Sequence, residues 1–155
     1  MFTGPFAGIE RLLIDGNNLL HRVSGGVDPG ALRGLLARLQ NALPPAVEAI
    51  VMLDGHAAPG TARQQKIASN LEVRHSGSLS ADDAMLNLVR DMRIGRAMTT
   101  VVSDDRALRD KCRSLGAHTE RLDWLEGVLS AAVSRPATSL GNRKPSTPPR
   151  KRRQS

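Results

Sequence analysis

Short apolar runs alternate along this chain with longer stretches of helical spacing. Arg11-Leu12-Leu13-Ile14 ends at Asp15-Gly16 and predicts a strand entering a tight turn. Asp28-Pro29 then offers an N-cap and a proline at the first helical position, followed by Leu32, Leu35, Leu36, Leu39 and Leu43 on one stripe. Pro44-Pro45 stops that helix. Ala49-Ile50-Val51-Met52-Leu53 is continuously apolar, as in a strand buried on both faces, and it too ends in an acid and a glycine, Asp54-Gly55.

Residues 60–70 predict a helix, and Leu71-Glu72-Val73 a short alternating strand. Ser80 predicts the N-cap of a helix turning Met85, Leu86, Val89 and Met92 inward. Residues 99–102 form a fourth predicted strand, followed by Ser103-Asp104-Asp105. Leu108, Cys112 and Leu115 make a helical stripe closed by Gly116. A fifth strand over 117–120 leads to a last helix with Trp124, Leu125, Val128, Leu129 and Ala132 at core spacing. This alternation predicts an α/β fold, a parallel sheet of about five strands covered by helices on both faces. There is no internal repeat.

Composition narrows the function. At 155 residues the chain suits one domain with a real core. Its single cysteine, Cys112, excludes an internal disulfide framework or a Cys-rich zinc module and fits a reducing cytoplasm. No apolar run approaches the ~20 residues of a membrane span, and the N-terminus lacks the plan of a signal peptide. With no Tyr, one Trp and two Phe, the aromatic platforms of many RNA binders cannot be built. The net charge of +7 is unevenly spread. Residues 135–155 hold Arg135, Arg143, Lys144, Arg150, Lys151, Arg152 and Arg153 and no acid, so residues 1–134 are formally neutral. The expectation is a folded domain over 1–134 and a disordered basic tail over 135–155, with Arg150, Lys151, Arg152 and Arg153 touching nucleic acid.

The acids carry the chemistry. Asp15, Asp54 and Asp105 each follow an apolar strand, and in a parallel sheet those ends share the edge where ligands bind. Asp82 and Asp83 open a helix that can reach the same edge. Converging carboxylates repel unless a cation neutralises them, and oxygen ligands without His or Cys favour Mg²⁺ or Mn²⁺. Such an ion activates water and stabilises charge on a scissile phosphate. Each acid also has a local reading. Asp-Gly makes ordinary turns, Asp83 lies three residues after Ser80 as in a capping box, and Asp104 or Asp105 can cap the next helix. Four histidines without zinc spacing and the absence of a phosphate loop remove two other chemistries.

Three segments occur in order: Leu13-Ile14-Asp15-Gly16-Asn17-Asn18-Leu19-Leu20, Ser80-Ala81-Asp82-Asp83 and Val101-Val102-Ser103-Asp104-Asp105-Arg106-Ala107-Leu108. Together they resemble the three acidic motifs of PIN-like nucleases, most closely the NYN branch related to YacP, and Leu115-Gly116-Ala117 is also similar to that branch. The resemblance spans residues ~9 to ~130. It implies a three-layer α/β/α PIN-like fold and metal-dependent cleavage of RNA. It carries the motif acids onto Asp15, Asp82 and Asp105 as catalytic metal ligands, with Asp83, Asp104 and Asp54 as partial ligands or as partners of the ligands. Asn17 replaces the tyrosine usual in the first motif, while Asn18 matches its asparagine. Asn17, Asn18, Arg22 and Arg106 are the expected substrate contacts.

The resulting expectation is a cytoplasmic Mg²⁺- or Mn²⁺-dependent endoribonuclease acting on RNA, with ribosome-associated mRNA among the candidate partners and no membrane. The rival is a non-catalytic RNA- or ribosome-binding module on the same fold. Receiver and haloacid-dehalogenase-like folds rank lowest, since Asp15-Gly16-Asn17 lacks their second acid.

Overall fold

The computed structural model describes residues 4–92 and 94–134. In chain order these form β1 (Arg11–Asp15), α1 (Gly16–Ser24), α2 (Pro29–Ala42), β2 (Glu48–Leu53), β3 (Gln64–Ala68), β4 (Leu71–His75) and α3 (Ala81–Asp91). A 3-10 turn over Arg96–Met98 precedes β5 (Thr99–Val102), α4 (Arg106–Ser114), β6 (His118–Glu120) and α5 (Leu122–Ser134). The sheet runs β3-β4-β2-β1-β5-β6, parallel throughout except for β3, which pairs antiparallel with β4.

Alternation along the buried strands sorts side chains into two cores. Leu12 and Ile14 of β1, Val51 of β2 and Val102 of β5 face α1, α2 and α5, which contribute Leu19, Leu35, Leu39, Leu125 and Leu129. Leu13, Met52 and Val101 face the other way, against Met85 and Val89 of α3 and Leu108 and Cys112 of α4. The result is a three-layer α/β/α arrangement, as the apolar pattern required. Cys112 is fully buried in the second core, and Trp124 packs edge-to-face on Phe6 at 5.9 Å between ring centres.

Two local expectations are corrected. Residues 60–70 do not form a helix. Gln64–Ala68 is a sixth strand, joined to β4 by the short turn at Ser69-Asn70. Gln64, Gln65 and Lys66 are exposed and offer no apolar stripe to bury, whereas the open side of β4 needs a backbone partner. The Asn70 amide then fixes the turn by donating to the carbonyls of Pro44 and Val47, each at 3.0 Å. The second correction concerns Asp15-Gly16. No separate turn follows β1; α1 starts at Gly16 itself. The glycine is needed for packing, because a Cβ there would lie 2.7 Å from Val51 Cγ1 and 2.8 Å from the Met52 carbonyl oxygen.

Among the described residues no helix is long and apolar enough to cross a membrane. The basic tail, including Arg150, Lys151, Arg152 and Arg153, lies outside the described residues.

Candidate active site

From β1 the chain steps through β2 to β4, then returns by α3 to β5 and β6 on the other side of β1. Strand order therefore reverses between β1 and β5, and the crevice beyond their C-terminal ends is the usual ligand position in such sheets. Asp15 ends β1 there, and Ser103, Asp104 and Asp105 follow β5.

Asp15 is only 2% exposed. It is the N-cap of α1. One carboxylate oxygen accepts the Asn18 backbone N–H at 3.4 Å, and the other accepts the Asn18 side-chain amide at 2.7 Å. The Ser103 hydroxyl donates to that second oxygen at 3.4 Å. Burial raises the Asp15 pKa above its ordinary value, while the bonds from Asn18 and Ser103 work against that rise. Ser103 also accepts the Asp105 N–H at 3.0 Å, so one buried hydroxyl joins the ends of β1 and β5.

Asp105 caps α4 through the Leu108 N–H at 2.9 Å, and this bond, followed by a hydrogen bond from Asp82, lowers its pKa. Asp82 lies in the first turn of α3 and is half-buried. Its pKa is pushed up to about 6, first by burial, then by the hydrogen bond to and charge of Asp105, with Asp15 and Asp83 adding repulsion. Asp82 therefore ionises against the charge of Asp105, with Asp15 close enough to be felt. Among the described residues, however, no three His, Cys, Asp or Glu side chains stand close enough to hold an ion between them.

The remaining expected residues are placed as follows. Asp83 is exposed, and its N–H donates to the capping Ser80 hydroxyl at 3.0 Å. Asp54 accepts the Ala81 N–H at 2.8 Å, while its own N–H donates to the Asn17 side-chain oxygen at 2.7 Å. Asp104 accepts the Leu122 N–H at 2.9 Å and so caps α5. Arg22 pairs with Glu126 at 2.9 Å and Asp104 at 3.5 Å, tying α1 to α5. Arg106 is extended into solvent, its side chain 86% exposed with Asp110 at 3.9 Å. Arg109 donates to the Ser103 carbonyl at 2.9 Å.

Ser103 was not legible as a functional residue. Its only signal is a small polar side chain between a buried strand and two acids, a pattern that ordinary strand ends share. A cleft of about 350 Å³ lies elsewhere, lined by Arg11, Ile50, Lys66, Arg74, Leu88 and Met92. Four of its charges are already paired within the sheet, Arg11 with Glu48 and Arg74 with Glu72, so the acidic edge remains the better chemical candidate.

No family model matches this sequence, and no curated protein matches it in sequence. The fold does match solved structures. A mutant of Rae1 (YacP) from Bacillus subtilis superposes with a TM-score of 0.63 at 16% identity, covering 81% of this chain and 77% of that one. A second structure of Rae1 (YacP) gives 0.61 at 17% identity, covering 81% and 76%. The chain shares the fold of YacP, the protein whose branch its acidic motifs resemble.

Proposed function

We propose that this protein is a divalent-metal-dependent ribonuclease that cuts RNA endonucleolytically at the acidic edge. The single observation that carries this reading is the juxtaposition of Asp82 and Asp105, with Asp15 adding charge at the switch point of the sheet. Asp105 raises the cost of ionising Asp82, and a cation at the pair would relieve that repulsion. Oxygen donors of this kind suit Mg²⁺ or Mn²⁺, and Mg²⁺ in particular is held by one or two carboxylates while keeping several waters. That donor set fits an ion even though no three acids close around a point. Shared fold and motif order with YacP support the same reading.

Asp82 and Asp105 would hold the ion, with the charge of Asp15 drawing it to the edge, and when bound it would supply a Lewis acid for phosphate oxygens and an activated water. Ser103 and Asn18 keep the Asp15 carboxylate oriented toward the edge. The Leu108 N–H favours the ionised form of Asp105, while Asp82, raised to about 6, is the acid whose ionisation a bound cation would favour most. Arg106, extended into solvent at the start of α4, is the side chain best able to swing onto an RNA phosphate. Arg22 would first have to leave Glu126 and Asp104, so it serves as a brace between helices.

Incubation of the protein with labelled single-stranded RNA and DNA, with Mn²⁺ or with EDTA, tests the proposal. RNA cleavage that needs the ion is expected; cleavage unaffected by EDTA, or none on any RNA, contradicts it. The second reading, a non-catalytic RNA- or ribosome-binding module, is favoured by the absence of a closed three-acid set among the described residues. RNA binding with no ion uptake and no cleavage would select it.

A further inference from the structure

We infer that Asp54 and Asn17 form a brace that sets the position of Asp82 against Asp105, Asp54 acting as a hydrogen-bond acceptor and not as an anionic ligand. This rests on the site assignment above but concerns a different link in it. Asp82 sits in the first turn of α3, so its place at the edge depends on how that turn is held to the sheet. The Ser80 cap cannot do this, because its bond to the Asp83 N–H only closes α3 on itself.

The tie to the sheet runs through β2. Asp54, directly after β2, accepts the Ala81 N–H at 2.8 Å, one residue before Asp82. Asp54 is in turn fixed by donating its N–H to the Asn17 side-chain oxygen at 2.7 Å. Asn17 is the second residue of α1 and lies two residues after Asp15. A continuous path of bonds thus leads from the first acid's helix, across the end of β2, to the helix carrying the second acid.

A parallel clasp stiffens the same loop. The Gly55 N–H donates to the buried Ser76 hydroxyl at 2.9 Å, and the Gly77 N–H returns to the Gly55 carbonyl at 2.9 Å. Both glycines have positive φ, 89° and 71°, values that side-chain-bearing residues rarely adopt. Ala81, 7% exposed, is bedded in the second core beside Met52 and Leu13. The first turn of α3 is therefore fixed from below by packing and from its end by Asp54.

An amide oxygen accepts an N–H as well as a carboxylate oxygen does at a helix start. This separates the brace from a ligand role. Mn²⁺ uptake by the full chain is measured with the metal alone, alongside amide exchange at Ala81. Asp54→Ala should weaken Mn²⁺ binding ~10-fold or more, as loss of the groups that orient metal ligands does, and should speed Ala81 exchange. Asp54→Asn should keep both within about twofold of wild type, since it restores the acceptor without the charge. Asn17→Ala should shift both readouts in the same direction as Asp54→Ala.

Asp54→Asn losing as much Mn²⁺ affinity as Asp54→Ala would overturn the inference, because the charge itself would then be acting on the ion. So would Asp54→Ala matching wild type in both readouts. If wild type takes up no Mn²⁺, the nuclease reading fails separately and Ala81 exchange decides the brace alone. Faster exchange in Asp54→Ala with recovery in Asp54→Asn supports it, and unchanged exchange in Asp54→Ala overturns it.

Discussion

The two ends of the sheet handle charge in opposite ways. At the N-terminal end, Arg11 opening β1 pairs with Glu48 opening β2 at 3.5 Å. Arg96 there donates to the carbonyls of Val89 at 3.1 Å, Arg90 at 2.7 Å and Leu115 at 3.3 Å. One cation so satisfies the C-terminal carbonyls around α3 and α4, where the helix dipoles favour positive charge. At the C-terminal end, Asp15, Asp54, Asp104 and Asp105 each accept an N–H at a helix start, where the dipoles favour negative charge. Capping accounts for those four, yet it does not account for Asp82. Ser80 already serves that helix, and Asp82 faces Asp105 at the cost of a raised pKa. One end is thus matched in charge, whereas the other keeps an unmet electrostatic demand.

Variants at the two ends, and in the tail, put that contrast to the test. Asp15→Asn or Asp105→Asn should lower RNA cleavage by about 1,000-fold or more, the several kcal/mol expected from losing a metal-held charge. Both should melt near wild type, because Asn retains the capping acceptor. Undiminished cleavage by either variant would remove the acids from the reaction.

Deletion of residues 135–155 removes seven cations and no acid. The log–log salt slope of single-stranded RNA binding should flatten by up to about 5, at ~0.7 for each phosphate no longer neutralised, with the cleavage step unchanged. An unaltered slope would confine RNA recognition to residues 1–134.

At the opposite end, Arg96→Ala should cost about 2 kcal/mol of stability through the removal of its charged hydrogen bonds. Mn²⁺ affinity should not move. A change in ion binding would show that the two ends are coupled.

The smallest effect is the most specific. With a pKa near 6 in the fold against an ordinary 3.8, Asp82 binds more protons folded than unfolded between those values. Stability without divalent ions therefore falls as pH rises through that window, and above about pH 6 the full cost remains. Asp82→Asn removes it. The variant should be more stable than wild type by roughly 1 kcal/mol at pH 7, after allowing for solvent screening, and equal to it below about pH 4. Wild type equal to the variant at pH 7 would mean that Asp82 meets no repulsion.

Much of this was legible in the chain. Leu12-Leu13-Ile14 and Ala49-Ile50-Val51-Met52-Leu53 could only be strands covered on both sides, and the acids at their ends marked one edge. The antiparallel β3 was not legible, because Gln64, Gln65 and Lys66 carry no period and the strand forms to pair an edge that exists only after β4 is in place. Nor were the division of labour among the acids and the role of Ser103. Asp54 and Asp104 cap helices 27 and 18 residues away, so their partners depend on tertiary placement. The motif resemblance singles out Asp82 over its neighbour Asp83, but the repulsion it meets comes from Asp105, 23 residues away in the chain, and depends on tertiary placement.

The central claim is that the acidic edge is built for a divalent ion. Calorimetric titration of Mn²⁺ into wild type and Asp15→Ala at pH 7 tests it most directly. Saturable binding to wild type that is lost in Asp15→Ala is expected. Equal binding by both proteins, or none by wild type, would contradict it.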